Sequence, residues 1–331
     1  MKEYISKIEK LVKHAKQISI TSHKNPDGDA IGSSLSLYLF LKKIHPQVRV
    51  ILPNEYPDFL KWLPQQEEIL FFTKHNKEAI NYIDQSDLIF SLDYNDLSRT
   101  GDMQTSLENA NADFIMIDHH QQPASYAQIC ISQPEIGSTC ELVYEVLENW
   151  NRELINQSIA TCIYTGIMTD SGSFRFPSTT SRTHQIIGHL IDLGVNNAEI
   201  HQNTFDTNSY NRLQLLGVAL SNLKFIEEHH TAYITLSQKE LDQHNFKKGD
   251  TEGFVNYGLS LKNVDFAVIF IENKEEGIIK ISFRSKGDFD VNQYARKYFS
   301  GGGHKNAAGG RSELSLKDTV QKFLATLPKE K

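Results

Sequence analysis

Only three cysteines, Cys130, Cys140 and Cys162, occur in 331 residues, and no two of them form a CxxC pair. So sparse and odd a set excludes a disulfide framework and a thiolate zinc site, and it points to a reducing cytoplasm. Long hydrophobic runs are also missing. The longest apolar stretch is the six residues Phe266 to Ile271, against the roughly 20 that a membrane-spanning helix needs. The start, Met1-Lys2-Glu3-Tyr4, opens an amphipathic pattern with no apolar core of an export signal, so neither a membrane nor a secretory route is expected. Positive charge is in short supply too: the formal net charge is -7. A dedicated duplex-DNA binder would carry a basic stripe to neutralise many phosphates, whereas a short nucleotide makes no such demand. No internal repeat and no low-complexity tract is visible.

What is present is an ordinary globular composition, 39% hydrophobic and 23% charged, over a length that suits two domains with separate cores. Strand-like runs at Gln17 to Ser22, Val48 to Leu52, Leu88 to Asp93 and Phe114 to Asp118 alternate with helical patterns. The helices are expected at Met1 to His14, Ala30 to Ile44, Ser138 to Asn149 and Asn156 to Met168. Such alternation predicts an α/β fold whose first domain, 1–196, is a mostly parallel sheet with helices on both faces. A helical connector is expected over 197–228, with Leu213, Leu216, Leu220 and Leu223 as its buried stripe. A smaller α/β domain with a mixed sheet should follow over 229–331. Its strands are expected at Thr231 to Leu236, Phe266 to Glu272 and Gly277 to Arg284, and it should end in helix, Gly-rich loop and helix.

Chemistry-bearing residues gather at the expected element ends. His23, Asp27 and Asp29 lie between the first strand and the next helix, and Pro26 and Gly28 break the backbone period so that the three can converge. Asp29 also has the type and position of a helix cap. Asp93 closes the run Leu88 to Leu92, and Asp118-His119-His120 closes the run Phe114 to Ile117. Asp170 follows the apolar segment Gly166 to Met168. Four element ends each bearing Asp or His are not a usual product of unrelated capping choices. Carboxylate and imidazole together suit manganese, iron or zinc.

The pattern His23-x3-Asp27-x-Asp29-Ala30-x-Gly32-Ser33, then Asp93, then Asp118-His119-His120, then Asp170, resembles the DHH phosphoesterase superfamily. That resemblance implies two divalent metal ions, manganese being the first choice. One would be held by His23, Asp27 and Asp93, the other by Asp29, Asp93, His119 and Asp170, with Asp93 as the bridge and Asp170 a second candidate for that role. His120, beside a ligand but assigned to neither ion, is the candidate for protonating the leaving oxygen or holding the scissile phosphate.

A second signal is Ser300-Gly301-Gly302-Gly303-His304-Lys305-Asn306-Ala307-Ala308-Gly309-Gly310, a Gly-rich loop read as leading into a helix start. Glycines let backbone N–H groups close around a phosphate. With Arg284 and Asp290-Val291-Asn292, this run resembles the DHH-associated C-terminal domain of nanoRNases and pAp phosphatases. The resemblance implies that Arg284, Gly301, Gly302, Gly303 and His304 grip a substrate phosphate or nucleotide. It implies hydrolysis of short RNA oligonucleotides to mononucleotides and removal of the 3′-phosphate of adenosine 3′,5′-bisphosphate. Linear or cyclic diadenylate is the alternative substrate; polyphosphate or pyrophosphate is a more distant one, and a non-catalytic nucleic-acid-binding module the remotest. Short RNA and small nucleotides are thus the expected partners, without a membrane, and a homodimer is one of the assemblies the family allows.

Overall fold

Six strands, β1 (Ile18–Thr21), β2 (Val48–Leu52), β3 (Leu70–Phe71), β4 (Leu88–Leu92), β5 (Asp113–Asp118) and β6 (Ile129–Ser132), pair in the order β3-β2-β1-β4-β5-β6. Every pairing is parallel. Successive side chains point to opposite faces of a strand, and the core follows that rule. Ile18, Ile20, Val50, Phe90, Ile115 and Ile117 enter one hydrophobic cluster, while Ile51, Ile89 and Phe114 enter another. Helices α1 (Lys2–His14) and α2 (Gly28–Leu41) contribute to the first cluster, whereas α3 (Asn76–Asp84) and α4 (Gln104–Asn109) contribute to the second. The later helices α5 (Thr139–Asn151), α6 (Gln157–Asp170), α7 (Ser181–Asp192) and α8 (Asn197–Phe205) all add to the first. The sheet therefore carries helices on both faces, and burial on both sides explains why its strands read as nearly continuous apolar runs.

This computed structural model describes residues 1–327. The chain divides into two units, Met1–Thr207 and Asn208–Lys331. Among the described residues no helix is long and apolar enough to cross a membrane.

Strand order decides where the first unit can bind anything. After β1 the chain adds β2 and β3 on one side of it, then returns to place β4, β5 and β6 on the other. The reversal makes a switch point between β1 and β4, and α/β sheets bind ligands outside the carboxyl ends of the strands at such a point.

Helix α2 is buried almost all round, and its small residues let α6 approach closely. A Cβ at Gly32 would sit 2.5 Å from the Cys162 carbonyl oxygen and 2.9 Å from Cys140 Sγ; one at Gly28 would collide with Thr169, and one at Gly166 with Cys140. This seam joins α2, α5 and α6 around the residues that follow β1.

In the second unit, α9 (Tyr210–Ser221) precedes β7 (Lys224–Ile226), β8 (Thr231–Leu236), α10 (Gln238–Gln243) and α11 (Phe254–Leu259). Next come β9 (Phe266–Asn273), β10 (Ile278–Ser285), α12 (Val291–Tyr298), β11 (Gly302–Gly303), β12 (Ala307–Ser312) and α13 (Leu316–Ala325). The sheet order is β11-β12-β10-β9-β8-β7, with β8 and β9 parallel and the remaining pairs antiparallel. Phe266, Phe270, Phe283, Tyr294, Phe299 and Phe323 dominate its core.

Four local expectations change. The short strands β3 and β6 lack a long apolar run and went unseen in the sequence. The small residues Ala307 to Gly310 form β12 rather than a helix start: pairing with β10 overrides alanine's helix propensity, and a Cβ at Gly310 would crowd Phe283 and Phe299. The leucine stripe is also rotated. Leu215 and Ala219 are buried, Leu216 and Leu223 pack at the margin, and Leu213 and Leu220 are exposed. A short helix with apolar residues on several sides has no unique face until its neighbours are known. Strand β7 further interrupts the helical pattern expected up to Glu228.

Because the atom that a Gly32 Cβ meets is backbone, Gly32→Ala cannot be relieved by a rotamer change. We expect a loss of about 1–3 kcal/mol in urea unfolding; a loss below about 0.5 kcal/mol would mean that the seam opens freely.

Candidate metal centre

The ends of β1, β4 and β5 lie level, because Thr21 pairs with Ser91 and Leu92 with Ile117. His23, Asp93 and the Asp118-His119-His120 triplet therefore emerge side by side. Asp27 and Asp29 come from the start of α2, and Asp170 arrives as the last residue of α6.

His23 Nε2 lies 3.4 Å from Asp93 Oδ2 and 3.9 Å from Asp27 Oδ1. His119 Nε2 lies 3.5 Å from Asp93 Oδ1, 3.4 Å from Asp170 Oδ2 and 3.8 Å from Asp29 Oδ2. Besides an Asp93/Asp118/His120 group, two donor sets result, His23/Asp27/Asp93 and Asp29/Asp93/His119, each with its ligand atoms within 4.8 Å of one another. Asp93 belongs to both and offers a different oxygen to each. Its backbone is left-handed, with φ of 63°, a conformation that Asp tolerates better than most residues. The donor chemistry fits divalent ions: imidazole nitrogens lie beside carboxylates. His23 Nδ1 lies 3.0 Å from the Lys24 carbonyl oxygen, and His119 Nδ1 3.1 Å from that of Ile136. Donating there leaves each deprotonated ring with its Nε2 lone pair facing the carboxylates, the tautomer that a metal ligand requires.

The cap of α2 is Asp27, whose Oδ1 accepts from the N–H groups of Asp29 and Ala30. Asp29 is not a cap. Its carboxylate crosses to the start of α5 and accepts from Thr139 N–H at 2.6 Å and Cys140 N–H at 2.8 Å.

Crowding of buried acids governs the electrostatics. Burial, then the charges of Asp93 and Asp170, push Asp29 well above the usual carboxylate range. Burial and Asp93 likewise push Asp118 up to about 7. Burial would raise Asp93 as well, but its bond to His23 and the nearby imidazoles hold it below its ordinary value. For His23, burial is outweighed by the bond to Asp93 and the charge of Asp27, and for His119 by Asp93 and Asp29, so both are raised. His120 goes the other way, lowered well below its usual value by burial and Arg99. In the metal-free protein the neighbouring carboxylates thus favour the protonated form of both histidines.

Two residues with no assigned role complete this arrangement. Asp118 Oδ1 lies 2.7 Å from His120 Nδ1, and its Oδ2 accepts the His120 backbone N–H at 3.0 Å, so it fixes that ring. Thr139 donates its hydroxyl to Asp93 Oδ1 at 3.0 Å. Asp118 was visible as part of the triplet. Thr139 looked like any residue opening a helix, because only the tertiary fold brings it to Asp93.

In the second unit, Gly302 and Gly303 pair with Gly309 and Ala308, so the glycine run is one arm of a hairpin whose turn holds His304. Backbone bonds between His304 and Ala307 close that turn. A Cβ at Gly301 would overlap the Gly309 carbonyl, and Gly303 has φ of 149°, which accounts for both glycines structurally. Asn292 Oδ1 accepts from Gly303 N–H and from Arg296 Nε, pinning the hairpin to α12. Half-buried Arg284 sits opposite Ala307 on β10. The five residues expected at the anchor thus belong to one sheet of this unit, Arg284 on β10 and the others on or beside β11, with β12 between.

The model of the DHH family, N-terminal domain, matches residues 17–167, and that of the DHHA1 domain matches residues 230–330. A bifunctional oligoribonuclease and PAP phosphatase, NrnA, from Thermus thermophilus is 30% identical over 321 residues, covering 95% of this chain and 90% of that protein. The chain belongs to the DHH family. Like the other DHH phosphoesterases, it is a hydrolase acting on phosphoester bonds. The crystal structure of an exopolyphosphatase-related protein from Bacteroides fragilis matches this DHH protein with a TM-score of 0.94 and 40% identity, covering 99% of this chain and 96% of that one. A cyclic-di-AMP phosphodiesterase, GdpP, from Bacillus subtilis is 24% identical, covering 96% of this chain but 48% of its own length.

A group whose pKa is raised on folding stabilises the fold below its ordinary value, and that contribution is lost as pH rises through the folded value. His23 and His119 are such groups, so the metal-free DHH protein should lose stability as pH climbs above 6.5. Divalent ions compete with those same protons. The rise in melting temperature on adding manganese should therefore be larger at about pH 8.5 than at about pH 6, measured by scanning calorimetry. An increment that shrinks with pH would place the ions elsewhere.

Proposed function

We propose that this chain is a two-metal phosphoesterase that degrades RNA oligonucleotides of a few nucleotides to mononucleotides and removes the 3′-phosphate from adenosine 3′,5′-bisphosphate. The observation that carries the chemistry is the sharing of Asp93 between two donor sets. The substrate assignment draws on the similarity to a relative named for both activities.

In this reading His23, Asp27 and Asp93 hold one ion, and Asp29, Asp93, His119 and Asp170 hold the other. Mixed imidazole and carboxylate ligands make manganese the first choice. When bound, such a pair of ions would supply neutralisation of the phosphoryl oxygens and a water acidified toward neutral pH. The protein's own residues do the rest. Asp118, when protonated, donates to His120 Nδ1 and leaves Nε2–H as a donor toward the scissile phosphate or the leaving oxygen. Arg284 and His304 bind the second phosphate or the base, with Gly301 to Gly303 shaping the hairpin that presents His304, because the N–H groups of Gly301 and Gly303 are already donated to Ala295 O and Asn292 Oδ1. The three unpaired thiols fit a reducing cytoplasm.

A second reading keeps this chemistry and makes linear or cyclic diadenylate the substrate, on the strength of the likeness to a cyclic-di-AMP phosphodiesterase. Side-by-side rates decide between the two. We expect manganese-dependent release of mononucleotide from an RNA dinucleotide and of phosphate from adenosine 3′,5′-bisphosphate, both abolished in Asp93→Ala. Faster turnover of cyclic diadenylate than of either would install the second reading.

His120→Ala offers a separate check on the acid. It should lower kcat by about 10²–10⁴-fold while two manganese ions still bind. Loss of metal along with activity would make His120 a ligand instead.

A further inference from the structure

Thr139 is fully buried and stands behind the shared carboxylate, where it touches both of the acids expected at one metal site. Its hydroxyl donates to Asp93 Oδ1 at 3.0 Å and its backbone N–H to Asp29 Oδ2 at 2.6 Å. As the first residue of α5 it has an N–H with no partner inside the helix. Cys140, next along, gives its own N–H to the other Asp29 oxygen at 2.8 Å. Ser138 holds the cap by accepting from Glu141 N–H, which fixes the backbone from which Thr139 projects.

The two Asp93 oxygens are not equivalent. Oδ2 faces His23, whereas Oδ1 faces His119 and His120 and is the atom that Thr139 holds. Asp93 sits at a left-handed φ of 63°, so the sheet does not by itself dictate the direction of its carboxylate. A side-chain donor on Oδ1 and an imidazole beside Oδ2 supply that direction.

We propose that Thr139 is a positioning residue that sets the spacing of Asp29 and Asp93 and thereby tunes the metal site built on Asp29, Asp93 and His119, leaving the His23/Asp27/Asp93 site largely alone. The inference rests on the two-metal reading above. Groups that orient metal ligands through hydrogen bonds typically change affinity by about 10–100-fold when removed. Backbone N–H groups survive substitution, so the hydroxyl is the part that mutation can test.

The experiment compares Thr139→Ser, Thr139→Ala and Thr139→Val with the parent chain by calorimetric titration of manganese into metal-free protein. Ser and Ala remove the same methyl group and differ only in the hydroxyl; Val keeps the shape without it. We expect Ala and Val to weaken one of the two binding steps by about tenfold or more while the other step moves less than about twofold, with Ser close to the parent. At saturating manganese, kcat of Ala and Val should return most of the way to the parent value. If Ser weakens binding as much as Ala, or if neither Ala nor Val weakens it, Thr139 only packs and the inference fails. A parent chain that binds no manganese would overturn the two-metal reading itself, an outcome distinct from the first two.

Discussion

Buried carboxylates cannot be brought together unless something positive or proton-donating comes with them, and the first unit is arranged around that constraint. Asp29, Asp93 and Asp118 are no more than 2% exposed. At an effective dielectric constant of about 20, two such charges 4 Å apart repel by about 4 kcal/mol. Each acid has its own remedy. Asp29 is met by the first N–H groups of α5, Asp93 by the Thr139 hydroxyl and two imidazoles, and Asp118 by the backbone and ring of His120. These donors orient the acids but do not neutralise them all. The residual repulsion is what the proposed pair of divalent ions would relieve.

Parallel strands make that concentration of acid attainable. Every strand of the first sheet runs the same way, so the residues that follow β1, β4 and β5 all leave by one edge. Reversal of strand order between β1 and β4 parts the loops at that edge. The glycine seam of α2 with α6 then brings the start of one helix and the end of another to the same place, with Asp29 on the first and Asp170 on the second. Packing and chemistry are thus one problem here: the residues that let the helices approach are those that let the carboxylates meet.

The relatives of this chain carry different names, an oligoribonuclease and PAP phosphatase, a cyclic-di-AMP phosphodiesterase and an exopolyphosphatase-related protein. A shared fold with divergent substrates is the usual situation, because function resides in groups placed on the scaffold. In the second unit the groups proposed for that task are Arg284 and the hairpin turn at His304. Their frame is rigid for a local reason: Gly301 and Gly303 occupy positions that a side chain could not, and Asn292 ties the hairpin to α12.

Much of this was legible in the linear chain. Period-two and near-continuous apolar runs marked β1, β2, β4 and β5 to within a residue or two, because strands buried on both faces have a local signature. The Asp and His residues at their ends could be singled out for the same reason, since a strand's end fixes where the next side chains emerge. The signal failed where local pattern and tertiary pairing disagree. Strand β3 has only two residues and β6 mixes half-buried Cys130 and Ser132 with its apolar positions, Ala307 to Gly310 became a strand only because β10 lies alongside, and the buried face of α9 was set by its neighbours. Composition and spacing by themselves determined the α/β class, the absence of a disulfide framework and the clustering of metal-type residues at successive strand ends. Only the tertiary structure decided which oxygen of Asp93 faces which imidazole, that Asp27 rather than Asp29 caps α2, and that Thr139 stands behind the shared acid. Those outcomes depend on contacts between segments as many as 111 residues apart, and no local sequence pattern encodes a hydrogen bond across such a distance.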